Sequence, residues 1–283
     1  MTQGGAASTL PVVLLPIGVD DDALDTCLAA LDVCTPAGSR VWLADDAQAG
    51  PRGVAIIQRW LQATPLAADY SRRQRSIGEV AHLDQLLAAC ADTDVVVLAC
   101  DAIPTPGWLQ QLTSCLSRDA TIATATPWCN AGETAAWPRC GEIFDAPEDP
   151  DRLAHSCAAM PAQSPELPAA VTHAVALRGS ARRRVGGLDA ASYDSWYAAL
   201  IDLSLRMTAH GWRNVLCDTA FVVRNGEGRH ADSDLDALAA RWPGWHARLA
   251  QFLMHDPLHA MRAQLTQLYA NTAPATPQRE LFA

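Results

Sequence analysis

The sequence contains no CxxC pair, which removes the usual signature of a cysteine zinc site. Its nine cysteines, Cys27, Cys34, Cys90, Cys100, Cys115, Cys129, Cys140, Cys157 and Cys217, are scattered and odd in number. They read as reduced thiols serving mostly as small core residues, not as a disulfide framework. No stretch reaches the ~18 uninterrupted apolar residues of a membrane span, and the opening MTQGGAASTL lacks the basic and apolar regions of a secretion signal. The expectation is a soluble, cytoplasmic protein without a transmembrane segment. Positive charge is in deficit, 21 basic against 31 acidic residues for a net charge of -10, so a broad nucleic-acid or anionic-membrane surface is not expected. Glycine-rich phosphate loops are missing too. No GxGxxG follows the first apolar run and no GxxxxGKS/T occurs, which weakens the case for a dinucleotide enzyme or an ATPase.

What is present is alternation. The run LPVVLLPIG reads as a strand buried on both faces and ended by Pro16 and Gly18. In DDDALDTCLAALDV, Leu24, Cys27, Leu28 and Leu31 fall at helical spacing behind a first turn of aspartates, where the helix dipole favours them. A short strand RVWLA then ends at Asp45 and Asp46, a helix lies around VAIIQRWLQ, and a weaker segment spans Leu66 to Tyr70. Next, IGEVAHLDQLLAACA puts Val80, Leu83, Leu87 and Cys90 on one stripe, and DVVVLACD is the following buried strand. Strands alternating with helices predict parallel βαβ units in a sheet covered on both faces. Ligands of such sheets sit outside the carboxyl ends of the strands. Pro16, Gly18, Asp45, Asp46 and Asp101 all fall there, so one crevice can collect them.

Beyond Ala102 the pattern breaks into proline-rich pieces as far as about Leu177, with an exposed loop expected at 145–168, and reads as a second lobe or a large insertion. AAVTHAVALRG reads as a strand, a helix spans about 195–209 and stops at His210-Gly211, and a strand follows from Val215 to Val223. The residues from about 231 onward read as amphipathic helices and a polar tail.

By position alone, Asp101 is either a turn former in the turn-rich DAIPTPGW or a ligand for a metal or a ribose hydroxyl. In SWYAALIDLSLRMTAH, Trp196, Ala199, Leu200, Leu203 and Met207 form an apolar stripe, and Asp202 lies off it as a solvated aspartate pairing with Arg206 would. His255 and His259 are four apart, but Asp256-Pro257 between them reads as a helix start, which argues against a metal site. SRRQR and RRR are short basic clusters that either hold phosphate or are simply solvated. Among the tryptophans, Trp108, Trp128 and Trp196 are available to stack on a sugar, although most belong in a core.

The order of the segments adds to this. VVLLPIG, VWLADDA, VVVLACDAIPTPGWL, TATPWCNAGETAAWPR and VGGLDAASYDSWYAALIDLSLRMTAHGWRNVLCDTAFVVRNGEG succeed one another as in family 2 glycosyltransferases, which the chain resembles from residue 12 to 230. The resemblance implies a GT-A fold, an α/β Rossmann-like, mostly parallel sheet with helices on both faces, here with a C-terminal helical appendage. Residues 1–101 would form the nucleotide-sugar half, 102–230 the acceptor-binding and catalytic half, and 231–283 the helical extension. The implied partners are a nucleoside-diphosphate sugar donor and a hydroxyl acceptor on a glycan, polysaccharide or glycoprotein. Asp45, with Asp46 beside it, would face the base or ribose, and Pro16 and Gly18 would form the adjoining wall. Asp101 matches the last acid of a DxD-type motif, which binds ribose or a manganese or magnesium ion bridging the diphosphate. Asp202 matches the acid of the catalytic helix, the base of an inverting transfer. Trp128, Asn130, Gly187 and Asp189 would contact the sugar or the acceptor.

Three departures qualify the likeness. Ala99 replaces the first acid of the DxD-type motif, Leu200 and Ile201 precede Asp202 where acidic neighbours are usual, and Arg224 stands on the last strand where the family often has a metal-binding histidine. An arginine there implies a guanidinium that stabilises the diphosphate in place of the cation. The eroded acids keep a second reading open, a catalytically silent GT-A-like module that binds a nucleotide sugar or a glycan. A nucleotidyltransferase on a similar sheet is disfavoured by the missing glycine-rich loop.

Overall fold

The computed structural model describes residues 10–225 and 232–272 of the 283-residue chain. Strand β1 (Val12–Pro16) is apolar on both faces and buried except at its last residue. Helix α1 (Asp21–Cys34) starts at Asp20, whose carboxylate accepts from the backbone N–H groups of Asp22 and Ala23, and it buries the stripe Leu24, Cys27, Leu28 and Leu31 that the sequence predicts. β2 (Arg40–Asp45), α2 (Pro51–Ala63), β3 (Ala67–Arg72), α3 (Glu79–Ala89) and β4 (Val95–Leu98) continue the alternation. Then come β5 (Ala102–Pro104), α4 (Trp108–Arg118), β6 (Ile122–Trp128) and α5 (Pro150–Ala158). Helix α5 occupies part of the span expected to be an exposed loop. Pro150 opens it, the Asp149 carboxylate accepts from the Arg152 N–H, and Leu153 and Cys157 are buried. At nine residues it is too short to print a clear helical stripe on the sequence.

β7 (Ala174–Leu177), α6 (Gly179–Val185), α7 (Trp196–Ala209) and β8 (Arg213–Arg224) follow, and α8 (Asp232–Arg241), α9 (Trp245–His255) and α10 (His259–Asn271) close the described chain. The expected polar tail lies outside the described residues. All eight strands join one sheet in the order β3-β2-β1-β4-β7-β6-β8-β5. β3, β2, β1 and β4 are parallel, β7 is antiparallel to β4 and to β6, β8 is parallel to β6, and β5 is antiparallel to β8. The segments beyond Ala102 therefore extend the first sheet. One consequence governs the site: the carboxyl ends of β1, β2, β4, β6 and β8 and the amino end of β7 lie along one edge.

Helices α1, α2 and α4 bury Leu28, Ile57 and Leu112 against one face, while α3, α7 and α8 bury Leu83, Leu203 and Leu238 against the other. A third cluster joins Trp128, Leu153, Phe221, Met261 and Leu265, so α5 and α10 clamp the far end of β6 and β8. Helix α7 is buried almost all round, from Ala198 through Leu205, because the sheet covers one side and α3 and α8 cover others.

Candidate functional site

At the shared edge the strand ends touch. A Cβ added to Gly18 would sit 2.6 Å from the Cys100 Sγ, so the turn after β1 packs directly on the end of β4 and leaves no room for a side chain. Pro16, the last residue of β1, lies opposite Ala44 in β2. The Ala99 N–H donates to the His173 carbonyl at 2.9 Å, and the Asn225 N–H donates to the Asp101 carbonyl at 3.0 Å. Ala102 pairs with Arg224, so Asp101 and Arg224 are carried by neighbouring positions of one short ladder. Gly18, Asp101, His173 and Arg224 thus meet at the place where the sequence puts a ligand crevice. Burial first, and then the Asp101 charge, push the Cys100 thiol up to about 11, so it stays protonated.

Several residues assigned to the site by the resemblance have other work. Asp45 is wholly buried and accepts from the N–H groups of Gln48 at 2.7 Å and Ala49 at 3.2 Å and from the Tyr70 hydroxyl at 2.8 Å, with the Arg72 Nε 3.5 Å away. Asp46 accepts from the Ser76 hydroxyl and from the N–H groups of Ile77 and Gly78. Both carboxylates build the turn after β2 and hold the loop before α3, which is the turn-forming alternative for them.

Asp202 is neither solvated nor open to an acceptor. It is wholly buried; its Oδ2 takes the Arg206 Nε at 2.8 Å, and its Oδ1 takes the Trp242 Nε1 at 2.9 Å and lies 3.2 Å from the Arg241 Nε. Arg206 in turn donates to the carbonyls of Val185 and Gly187. This is a clamp joining α7, α8 and the turn at 185–187, and a base needs an oxygen that reaches the substrate. Gly187 packs on Asp84, whose Oδ1 would lie 2.2 Å from an added Cβ, and Asp189 pairs with Arg241 at 2.7 Å. The Trp128 ring is wholly buried, donates from Nε1 to the Asp218 carbonyl, and lies under the Arg262 guanidinium, so it offers no face to a sugar. Of the RRR cluster, Arg182 is buried and caps the end of α3 through the carbonyls of Leu87, Ala91 and Thr93, while Arg183 pairs with Asp92. His255 ends α9 and His259 opens α10, on either side of a break.

What stands out is Arg224. It is 8% exposed, its Nε meets no hydrogen-bond partner, and no carboxylate among the described residues forms an ion pair with it. Asn130, after β6, holds its backbone and also donates to the Phe144 carbonyl at 2.8 Å, so this 2%-exposed amide positions the arginine and has both donor hydrogens committed within the fold. His173 beside it is wholly buried, and burial first and the Arg224 charge second push its imidazole down to about 3. The neighbour of the guanidinium is therefore neutral. Lysine is absent from the sequence, so every side chain with a permanent positive charge at neutral pH is an arginine.

Arg224 lines a cavity of about 190 Å³ together with Glu133, Thr172, Tyr197, Ile201 and Trp245. Glu133 and Tyr197 are not singled out by any sequence pattern; the Tyr197 hydroxyl donates to the Glu133 Oε1 at 2.8 Å. No group of three acidic, histidine or cysteine side chains among the described residues is placed to hold a metal ion. Asp101 is a single carboxylate beside the ladder that carries the Arg224 guanidinium, and a divalent cation prefers a shell of several oxygens. The described residues therefore do not fit a cation by themselves. No described helix is long and apolar enough to cross a membrane.

No family model matches the chain, and no curated protein matches it in sequence. Solved structures do share its fold. A mannosyltransferase from Pyrobaculum calidifontis, in complex with GDP-Man and Mn2+, is 14% identical with a TM-score of 0.53, over 92% of this chain and 86% of that one. GalNAc-T7 with UDP, GalNAc and Mn2+ is 12% identical with a TM-score of 0.63, over 92% of this chain and 55% of that one. S. aureus TarS 1-349 in complex with UDP-GlcNAc is 12% identical with a TM-score of 0.54, over 92% of this chain and 71% of that one. These neighbours are nucleotide-sugar glycosyltransferases, and the architecture they share with this chain is the GT-A fold.

Proposed function

We propose that the chain is a glycosyltransferase that binds a nucleoside-diphosphate sugar at the carboxyl edge of its sheet and passes the sugar to a hydroxyl acceptor on a glycan, polysaccharide or glycoprotein. The observation that carries this reading is Arg224, a buried cation that forms no ion pair among the described residues and whose Nε has no hydrogen-bond partner among them. An ion withdrawn from water is costly unless it is paired, and a diphosphate supplies the missing partner. The guanidinium fork matches phosphate oxygens and stabilises the charge that grows on the leaving group. In this reading the turn at Gly18, packed on Cys100, forms the wall beside the donor, and Asp101, next to the Ala102–Arg224 pair, takes a ribose hydroxyl. The donors named with the neighbours, GDP-Man and UDP-GlcNAc, support the substrate class.

The test is the thermal shift of the protein with UDP, GDP, UDP-GlcNAc and GDP-mannose, with and without EDTA. A nucleotide-induced rise that persists in EDTA and disappears in Arg224→Gln is expected. A rise that needs manganese would remove Arg224 from the role given to it, and no rise with any nucleotide would end the donor reading. The engagement of Asp202 within the fold favours a second reading, a catalytically silent nucleotide-sugar or glycan-binding module, which binds donors and never turns them over.

A further inference from the structure

Glu133 is the one acidic side chain among the residues lining the cavity that Arg224 shares. It lies three residues beyond Asn130, in the segment that holds the arginine's backbone. Its position is fixed from two sides: the Glu133 carbonyl accepts from the Gly141 N–H at 2.9 Å, and its Oε1 accepts from the hydroxyl of Tyr197 in the first turn of α7. Burial, and then the Glu133 charge, push the Tyr197 phenol up, so it remains a proton donor to that oxygen. Oε2 takes no hydrogen bond among the described residues, and the side chain is exposed to solvent. The same cavity is also lined by the apolar residues Ile201, Trp245 and Leu249. The cavity thus combines a carboxylate with an oxygen that no described residue engages, a buried cation, and a surface for an apolar face of a ligand.

We propose that Glu133 is the base of the sugar transfer, with Tyr197 as its positioning residue, acting on an acceptor whose hydroxyl is carried on a body with an apolar face. This rests on the donor reading above. The Glu133 Oε2 takes the proton of the acceptor hydroxyl while that oxygen forms a bond to the anomeric carbon. The bond from the anomeric carbon to the diphosphate oxygen breaks, and its electron pair leaves with the nucleoside diphosphate, whose new charge faces Arg224. The residue that the resemblance makes the base, Asp202, stays in its clamp throughout.

The experiment follows hydrolysis of UDP-GlcNAc and GDP-mannose, with water as acceptor, in wild type, Glu133→Gln, Glu133→Asp and Tyr197→Phe, alongside the nucleotide-induced thermal shift. Glu133→Gln is expected to lower hydrolysis by about 100-fold or more while the shift is kept. Glu133→Asp recovers part of the rate, and Tyr197→Phe moves the midpoint of the pH–rate profile. Unchanged hydrolysis in Glu133→Gln overturns the proposal, as does a wild type that binds nucleotide and never hydrolyses it, an outcome that leaves donor binding intact. A wild type that binds no nucleotide overturns the donor reading itself and Glu133 with it.

Discussion

Asn130 grips Arg224 by both of its backbone polar groups: the Asn130 Oδ1 accepts from the Arg224 N–H at 2.8 Å, and the Asn130 Nδ2 donates to the Arg224 carbonyl at 2.9 Å. A side-chain amide here replaces a neighbouring strand and prolongs the ladder just where β6 has ended. Removing it in Asn130→Ala leaves a buried donor and a buried acceptor unpaired, at a cost of about 1–3 kcal/mol. Urea unfolding should show that loss, and the nucleotide-induced thermal shift should shrink. Asn130→Asp keeps the acceptor, loses the donor, and should fall between.

Asp202 separates a structural from a catalytic role. Asp202→Ala strands Arg206 and Arg241, and breaking a buried pair costs about 3–5 kcal/mol, here toward the lower end because the Arg241 side chain is 40% exposed. The variant should unfold at lower denaturant, while whatever folded protein remains binds nucleotide as wild type does. A variant Asp202→Asn that is as stable as wild type and fully inactive would return the base to Asp202.

His173 makes the stability depend on pH. Its folded pKa lies near 3, below the ordinary value of 6.5, so on acidification the unfolded chain takes up a proton that the folded chain refuses. Stability should therefore fall as pH drops from 6.5 toward 3, by at most roughly 1.4 kcal/mol per unit from this group. Urea midpoints of wild type and His173→Gln across that window measure it. Parallel profiles in the two proteins would count against a buried neutral imidazole.

Gly18 and Cys100 form a pair whose steric coupling can be measured. Gly18→Ala places a methyl 2.6 Å from the Cys100 Sγ, an overpacking expected to cost about 1–3 kcal/mol. Cys100→Ala removes the obstructing sulfur, so the double variant should regain much of the loss in a mutant cycle. Strictly additive effects would mean that the turn and the end of β4 are not in contact.

The parts of the fold legible from sequence are those with one wet and one dry side. Leu24, Cys27, Leu28 and Leu31 mark α1 because the other side of that helix meets water. Helix α7 defeats the same logic. Asp202 lies off the apolar stripe and reads as solvated, yet α8 reaches over that side with Arg241 and Trp242, from a region more than thirty residues away. The crevice at Asp101 is readable because strand ends are marked by abrupt loss of apolar residues. Asp45 and Asp46 carry the same mark for a different reason, since their carboxylates satisfy local backbone N–H groups. Glu133 leaves no trace at all: it is an exposed acid in an irregular segment, and among the described residues the approach of α7 gives its carboxylate a partner.

The two outer strands of the sheet, β3 and β5, also decide how the molecule meets others. An outer strand with free N–H and C=O groups is a template on which a foreign strand can grow. β3 carries Asp69 and Arg72 and is exposed or half-buried along most of its length, and β5 is three residues long and ends in Pro104, which has no N–H to offer. Charge blunts one border and brevity the other. Growth of the sheet into a neighbouring chain is discouraged at both ends, so the surfaces left for association are helix faces and loops.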